Sequence, residues 1–290
     1  MLTFFSVPKP FTGNIAILQK NAIRSWKQVC PDCEILLFGD EPGIKEAAEE
    51  YGVRHIPEVK KNTYGTPTLD DIFDQARKLS RHDIVCYINC DIILTGDIIE
   101  ALKRIPFKKY LLVGQRTNLD IDTELGFNEN WEHDLRQQAR IRGVHEGKMG
   151  IDYFMYPKKS IANVLPFAVG RRGWDNWFIY NARKQGIPVI DCTPAVLVVH
   201  QNHGYGHIRQ KTGTRWEGPE SDINLNLIGN PAYLWDLDDA DWTLSEEGVT
   251  KKPFSLLGIY RYFILHSPGI FLPTITGIAS GIVKMKKRGI

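Results

Sequence analysis

Asn89 and Asp91 stand at the polar end of an otherwise apolar run, "YINCDIIL", residues 87–94. A carboxylate at the end of a buried strand is poorly solvated unless a cation pairs with it. Where the neighbouring ligand is itself an anion such as a phosphate, a divalent cation bridging carboxylate and phosphate oxygens is the economical arrangement. Asn89, two residues earlier, faces the same side and offers a neutral oxygen or a hydrogen bond. The competing reading makes Asp91 a cap on the next turn. His200 ends a second apolar run, "AVLVVH". A neutral imidazole at a strand end is a competent ligand for manganese or a related ion. His203 and His207 follow in the glycine-rich "HQNHGYGH", which could fold over a diphosphate. For His207 a plain surface role is the better reading.

The elements that must position these residues follow from hydrophobic period and turn chemistry. Residues 2–7 read as a buried strand that opens into a loop at Pro8 and Pro10. Residues 14–29 carry apolar side chains at helical spacing, with Asn14 as an N-cap. A second strand, "EILLFGDEPG", ends at Gly39 and Asp40; residues 44–51 read as helix and 53–56 as a short strand. Thr68 caps a helix over 68–79 with Asp70 and Asp71 in its first turn, and a strand covers 84–94. Strands are further expected at 110–115, 152–156 and 195–200, and helices at 132–142 and 175–185. Alternating strands and helices of this length imply a mostly parallel sheet covered on both faces, in which ligands bind beyond the carboxyl ends of the strands. Three such ends carry distinctive residues: Ser6 with Pro8, Asp40, and Asn89 with Asp91.

The chain has 290 residues, enough for one large α/β domain, and its net charge of +2 is too small to argue for nucleic acid. Five cysteines with no framework spacing indicate reduced thiols and a cytosolic compartment. Cys30 and Cys33 form a C-x-x-C, but no second Cys/His pair follows at zinc-ribbon distance. The N-terminal "MLTFFSVPKPF" lacks the charged and apolar regions of a signal peptide.

In chain order, "FFSVPKPF", "LLFGD", "TPTLDDIF", "YINCDIIL", "GIDYFMYPK", "GWDNWF" and "VVHQNHGYGH" resemble a GT-A-fold glycosyltransferase of the nucleotide-diphospho-sugar transferase, family-2-like group. The resemblance spans residues 3–230 and implies a Rossmann-like, mostly parallel mixed sheet flanked by helices. It further implies that Ser6, Val7 and Pro8 line the base and ribose and that Asp40 contacts the base or the ribose hydroxyls. Asp71 and Asp91 lie nearer the sugar and diphosphate, with His203 on the donor as well. "INCD" is similar to the group's D-x-D, with Asn89 at its first acid. That departure leaves Asp91 as the main acidic metal ligand, with His200 completing a site for manganese or magnesium.

By the same resemblance, Asp152 binds sugar hydroxyls. Asp175, whose plainer role is an N-cap, is the general base that takes the acceptor's proton in an inverting transfer. Arg116 suits phosphate oxygens, as do Arg171 and Arg172, although surface solvation explains any one of them equally well. Trp174 and Trp177 offer faces on which an acceptor sugar stacks, or simply fill the core. Glu220 and Asn224, in "EGPESDINLNL", receive no firm role.

The expected function is therefore transfer of a sugar from a nucleotide-diphosphate donor, UDP-linked by preference, to a hydroxyl of a glycan or lipid-linked acceptor. The alternatives are a sugar-1-phosphate nucleotidyltransferase, which would want a glycine-rich loop directly after the first strand, and a non-catalytic nucleotide-sugar-binding protein, which Asn89 favours. A phosphohydrolase with an aspartyl nucleophile is disfavoured by Asn89. Residues 1–250 are expected to form the catalytic domain and 251–290 a C-terminal apolar and basic extension. Residues 262–283 are apolar apart from His266 and a few hydroxyls, and "KMKKR" follows. Pro268 and Pro273 argue against a straight spanning helix, so the extension reads as an interfacial segment at the inner face of the membrane. The alternative is a tail packed on the catalytic domain or forming an oligomer contact.

Overall fold

The computed structural model describes residues 2–203, 217–253 and 255–266. The first half of the chain runs β1 (Leu2–Ser6), α1 (Gly13–Val29), β2 (Glu34–Phe38), α2 (Ile44–Tyr51), β3 (Arg54–Ile56), α3 (Leu69–Leu79), β4 (Ile84–Ile88), β5 (Ile92–Leu94) and α4 (Asp97–Lys103). Then come β6 (Leu111–Val113), β7 (Thr117–Leu119), α5 (Trp131–Arg142), β8 (Val144–His145), β9 (Tyr153–Pro157) and α6 (Trp174–Lys184). The chain continues through β10 (Val189–Asp191), β11 (Val198–Gln201), α7 (Pro219–Ile228), β12 (Trp242–Ser245), β13 (Gly248–Lys251) and α8 (Leu256–His266).

Nine strands form one sheet in the order β13-β12-β10-β6-β9-β4-β1-β2-β3. β1 pairs in parallel with both β2 and β4, while β9 runs antiparallel between β4 and β6. The sheet is thus mixed and mostly parallel, as expected. Period-two alternation sends side chains to two separate cores. Phe5, Val85 and Tyr87 pack with α3 and α6, through Phe73, Trp174 and Phe178, on one face. Leu2, Phe4, Cys86 and Ile88 pack with α1, through Ala22, Ile23 and Trp26, on the other. Full burial of one such large side chain is worth about 1.5–3 kcal/mol. The all-buried β1 therefore holds the centre of the sheet, with Phe5 edge-on to Phe73 at 5.1 Å and Phe4 against Trp26 at 5.7 Å.

Three local expectations need correction. The single strand over 84–94 is two strands: β4 ends at Ile88, Ile92 N–H turns back to the Asn89 carbonyl at 3.2 Å, and β5 joins a second, four-stranded sheet in the order β5-β11-β7-β8. An uninterrupted apolar run does not reveal that the chain changes sheets. Asn14 lies inside α1, whose N-cap position is Thr12, and Asp175 lies in the first turn of α6 after Gly173. Thr68 does occupy the N-cap of α3, but its hydroxyl makes no capping bond there.

Candidate functional site

The carboxyl ends of β1, β2 and β4 open into one cavity of about 760 Å³. β1 delivers Val7, Pro8 and Lys9 to its wall, β2 delivers Gly39 and Asp40, and the β4–β5 turn delivers Asn89, Cys90 and Asp91. The second sheet brings His200 from β11 and His203 just beyond it, because β11 pairs antiparallel with β5 and sets His200 opposite Ile92. The break that sequence patterning missed is thus what joins the two halves of the site.

Asp91 sits between two imidazoles. His203 Nε2 lies 2.9 Å and His200 Nε2 3.9 Å from Asp91 Oδ2, and Lys9 Nζ lies 3.7 Å away. Burial pushes the Asp91 carboxyl up, but the hydrogen bond from His203 and the charges of His200 and Lys9 outweigh it and hold the group well below the usual carboxylate range. Burial lowers the pKa of His200, against the attraction of Asp91. Potential ligand atoms of Asp91, His200 and His203 all fall within 4.8 Å of one another, which is a group able to hold a metal ion. Two observations favour that fit. A carboxylate with neutral imidazoles is a competent donor set for a divalent ion. Asp91 Oδ1 and His200 Nδ1 are buried without a hydrogen-bond partner among the described residues.

Asn89 is turned away from this cluster. Its Nδ2 donates to Asp152 Oδ1 at 2.6 Å, and its backbone N–H donates to the Asp152 carbonyl at 3.0 Å. Asp152 is also held by Arg116, whose Nη1 lies 2.6 Å from Oδ2, while Arg116 Nη2 reaches Glu146 at 3.1 Å. Arg116 and Asp152 are both buried yet line the cavity. Arg116 thus spends its fork on carboxylates. Asp175 enters the same cavity from the first turn of α6. Burial pushes its carboxyl up to about 7, with Asp152 adding to the rise and the Asn176 N–H, 2.9 Å from Oδ1, opposing it. Gly173, at φ +95°, makes the turn into α6; a Cβ there would meet Ile228 Cδ1 at 2.9 Å.

The remaining expected residues divide. Val7, Pro8, Asp40 and Trp174 line the cavity, Trp174 packing on Tyr87 and Phe154 at 5.1 Å each. Asp40 is paired with Lys61 at 2.5 Å, which lowers its pKa. Ser6 is fully buried behind the wall and does not line it. Asp71 is also absent from the wall, because its Oδ2 accepts from Lys60 N–H and Gln75 Nε2, each at 2.8 Å. Trp177 packs edge-on against Phe167 at 5.1 Å in the core and presents no face to the cavity. His207 lies outside the described residues.

Sequence reasoning missed Lys9, Glu146 and the part played by "EGPESDINLNL". Glu220 holds Arg171 through Nη2 at 2.6 Å and accepts from Asn62 at 2.8 Å, while Asn224 takes both backbone groups of Ala168. Arg171 and Arg172 both line the cavity. The only sequence signal for Lys9 is its place between two prolines directly after β1.

Comparison with solved structures gives S. aureus TarS 1–349 in complex with UDP-GlcNAc, with a TM-score of 0.52 over 94% of this chain and 78% of that one, at 11% identity. The fold is GT-A. Two further neighbours are less similar. Glucosyl-3-phosphoglycerate synthase from Mycobacterium tuberculosis, solved with Mg2+ and UDP, gives a TM-score of 0.46 at 14% identity and 88% coverage of both chains. Mannosyltransferase PcManGT from Pyrobaculum calidifontis, solved with GDP-Man and Mn2+, gives 0.45 at 10% identity over 71% of this chain and 58% of that one. In the structure of TarS 1–349 alone, this chain spans 60% of that chain's length. No family model matches the sequence, and no curated protein matches it. At these identities the likeness is one of fold.

Proposed function

We propose that the protein is a glycosyltransferase that moves a sugar from a nucleotide-diphosphate donor to a hydroxyl acceptor, with a divalent cation at Asp91, His200 and His203. The observation that carries this reading is that one cavity joins a group able to hold a metal ion to a second carboxyl, Asp175, poised near pH 7. The two imidazoles favour manganese over magnesium. When bound, such an ion neutralises the charge that develops on the departing diphosphate. Asp175 takes the proton of the acceptor hydroxyl as that oxygen bonds to the anomeric carbon, and the electron pair of the breaking bond leaves with the diphosphate. One base and a direct displacement make the transfer inverting. In this reading Val7, Pro8 and Asp40, which line the cavity, hold the nucleoside, and the Arg116–Asp152–Asn89 set holds sugar hydroxyls. Trp174 is the remaining aromatic candidate for the acceptor. A UDP-sugar is the favoured donor, the class bound in the TarS structure, and the acceptor is a glycan or a lipid-linked sugar.

Residues 1–250 form the catalytic domain in this reading, and 251–290 extend it. Among the described residues, no helix is long and apolar enough to cross a membrane. α8 is tied back to the domain by Arg261, which grips the buried Asp239 through Nε at 2.7 Å and Nη2 at 3.0 Å. Leu256, Tyr262 and Phe263 remain exposed on it. That exposed apolar surface, followed by "KMKKR" in the sequence, supports peripheral contact with an anionic membrane face. Residues 267–290, most of the expected interfacial segment, lie outside the described residues.

The test is release of nucleoside diphosphate from a panel of UDP-, GDP-, dTDP- and CDP-sugars, with and without manganese. Metal-dependent release from one donor class supports the reading. Pyrophosphate release from a nucleoside triphosphate and a sugar phosphate would identify a nucleotidyltransferase instead, and binding without turnover a non-catalytic protein.

A further inference from the structure

Lys9 is held more firmly than a loop lysine needs to be. Pro8 and Pro10 fix the backbone on either side of it. Gln19, on the buried face of α1 and only 2% exposed, takes both of its backbone groups: Lys9 N–H donates to Gln19 Oε1 at 2.7 Å, and Gln19 Nε2 donates to the Lys9 carbonyl at 2.8 Å. A buried glutamine spent on one residue's main chain fixes where that side chain starts. The ammonium ends 3.3 Å from His203 Nε2 and 3.7 Å from Asp91 Oδ2, on two of the residues in the group able to hold a divalent ion.

We propose that Lys9 is a built-in cation of the diphosphate site, which neutralises Asp91 and bonds His203 when no divalent ion is bound, yields them to the ion, and then pairs with the donor's diphosphate. This rests on the nucleotide-sugar reading above.

The chemistry of His203 makes the exchange a competition. With its proton on Nε2, the ring donates to Asp91. With its proton on Nδ1, two acceptors face each other at 2.9 Å, and that arrangement needs a cation beside it. Lys9 supplies one through the same lone pair that a metal would take. An ammonium and a divalent ion within a few ångströms repel strongly in a low-dielectric cavity, so the two do not share the atoms. Lysine suits the role because its charge sits on a flexible four-carbon stem, so the ammonium can move while the clamped backbone stays. Two of the other lining cations are less available: Arg116 is held by Asp152 and Glu146, and Arg171 by Glu220.

The experiment is calorimetric titration of the full, chelator-stripped chain with manganese alone, with UDP alone and with UDP plus manganese, comparing wild type, Lys9→Met, Lys9→Gln and Lys9→Arg. Melting temperature reports folding, and two neutral variants guard against failure of either. Loss of the competing charge is expected to tighten manganese binding about threefold or more in both neutral variants. Loss of a charge-assisted contact is expected to weaken UDP about tenfold or more when manganese is present. Lys9→Arg keeps UDP affinity. Opposite shifts for metal and nucleotide are the signature, since general damage to the cavity would weaken both. If wild type binds UDP with manganese and the neutral variants bind both equally well, the role of Lys9 is wrong and the nucleotide-sugar reading stands. If wild type binds none of the nucleoside diphosphates of UDP, GDP, dTDP and CDP, both fall.

Discussion

Asp175→Asn separates a base from a merely structural carboxylate, because the two roles predict different pH behaviour of stability as well as activity. Burial lifts the Asp175 carboxyl from its ordinary 3.8 to about 7. A raised carboxylate pKa means that the folded state prefers the neutral acid. The resulting cost is absent below the unfolded pKa, grows as pH rises toward 7, and is constant above it. Roughly three units at about 1.4 kcal/mol each give about 4 kcal/mol at pH 8 and about 2 kcal/mol at pH 5. An asparagine is neutral throughout, and its Oδ1 still accepts the Asn176 N–H that Asp175 accepts at 2.9 Å. Urea unfolding of the metal-free, ligand-free protein should therefore show the variant more stable than wild type, by clearly more at pH 8 than at pH 5. Turnover should fall by about 10²–10⁴, and wild-type kcat/KM should rise through about pH 7 as the base ionises. A stability difference that does not change with pH would refute the raised carboxyl, and unchanged turnover in the variant would refute the base.

Asp91→Asn should abolish the manganese-dependent rise in melting temperature that UDP gives to the wild type; retention of that rise would remove Asp91 from the metal site. Arg116→Met leaves Asp152 buried beside Asn89 without its cation and should cost about 3–5 kcal/mol in urea unfolding, with loss below 1 kcal/mol counting against a closed network. Gly173→Ala, at positive φ and in contact with Ile228, should lower the melting temperature and turnover together, since it moves the turn that aims Asp175. The full chain should co-sediment with phosphatidylserine vesicles and not with neutral ones, and a chain ending at Lys251 should not; equal behaviour of the two chains would leave the extension without a membrane role.

Much of the fold was legible because its core obeys simple periods. β1, β2, β3 and β4 and the helices between them follow from apolar runs and turn residues in order. The carboxyl-edge rule pointed to Ser6, Pro8, Asp40, Asn89 and Asp91, and all of these but Ser6 line one opening. In the second half β6 falls inside the strand expected at 110–115, whereas β7 and β8, of three and two residues, are too short for a period to show. Asp71 and Trp177 lie off the cavity wall for a related reason. Residue type says that a carboxylate suits a helix start and an indole suits a sugar face, but only packing decides that Asp71 answers Lys60 and Gln75 and that Trp177 answers Phe167. Lys9 was hidden because its signal is backbone geometry rather than periodicity.

Asn89 shows why one departure from a motif need not empty the site. An aspartate in its place would set a second negative charge at the 2.6 Å contact with Asp152 Oδ1, and like charges that close cannot both stay ionised in a low-dielectric wall. One of the two would hold a proton, or Arg116 would have to serve both. The amide instead donates, so Asp152 is held between Asn89 and Arg116, while Asp91 is left to the two histidines and Lys9. The Asp152 charge also helps to raise Asp175. In the proposed reading the asparagine connects the two ends of the cavity: it gives up one metal ligand, which His203 can replace, and keeps the neighbouring charge that helps to raise Asp175.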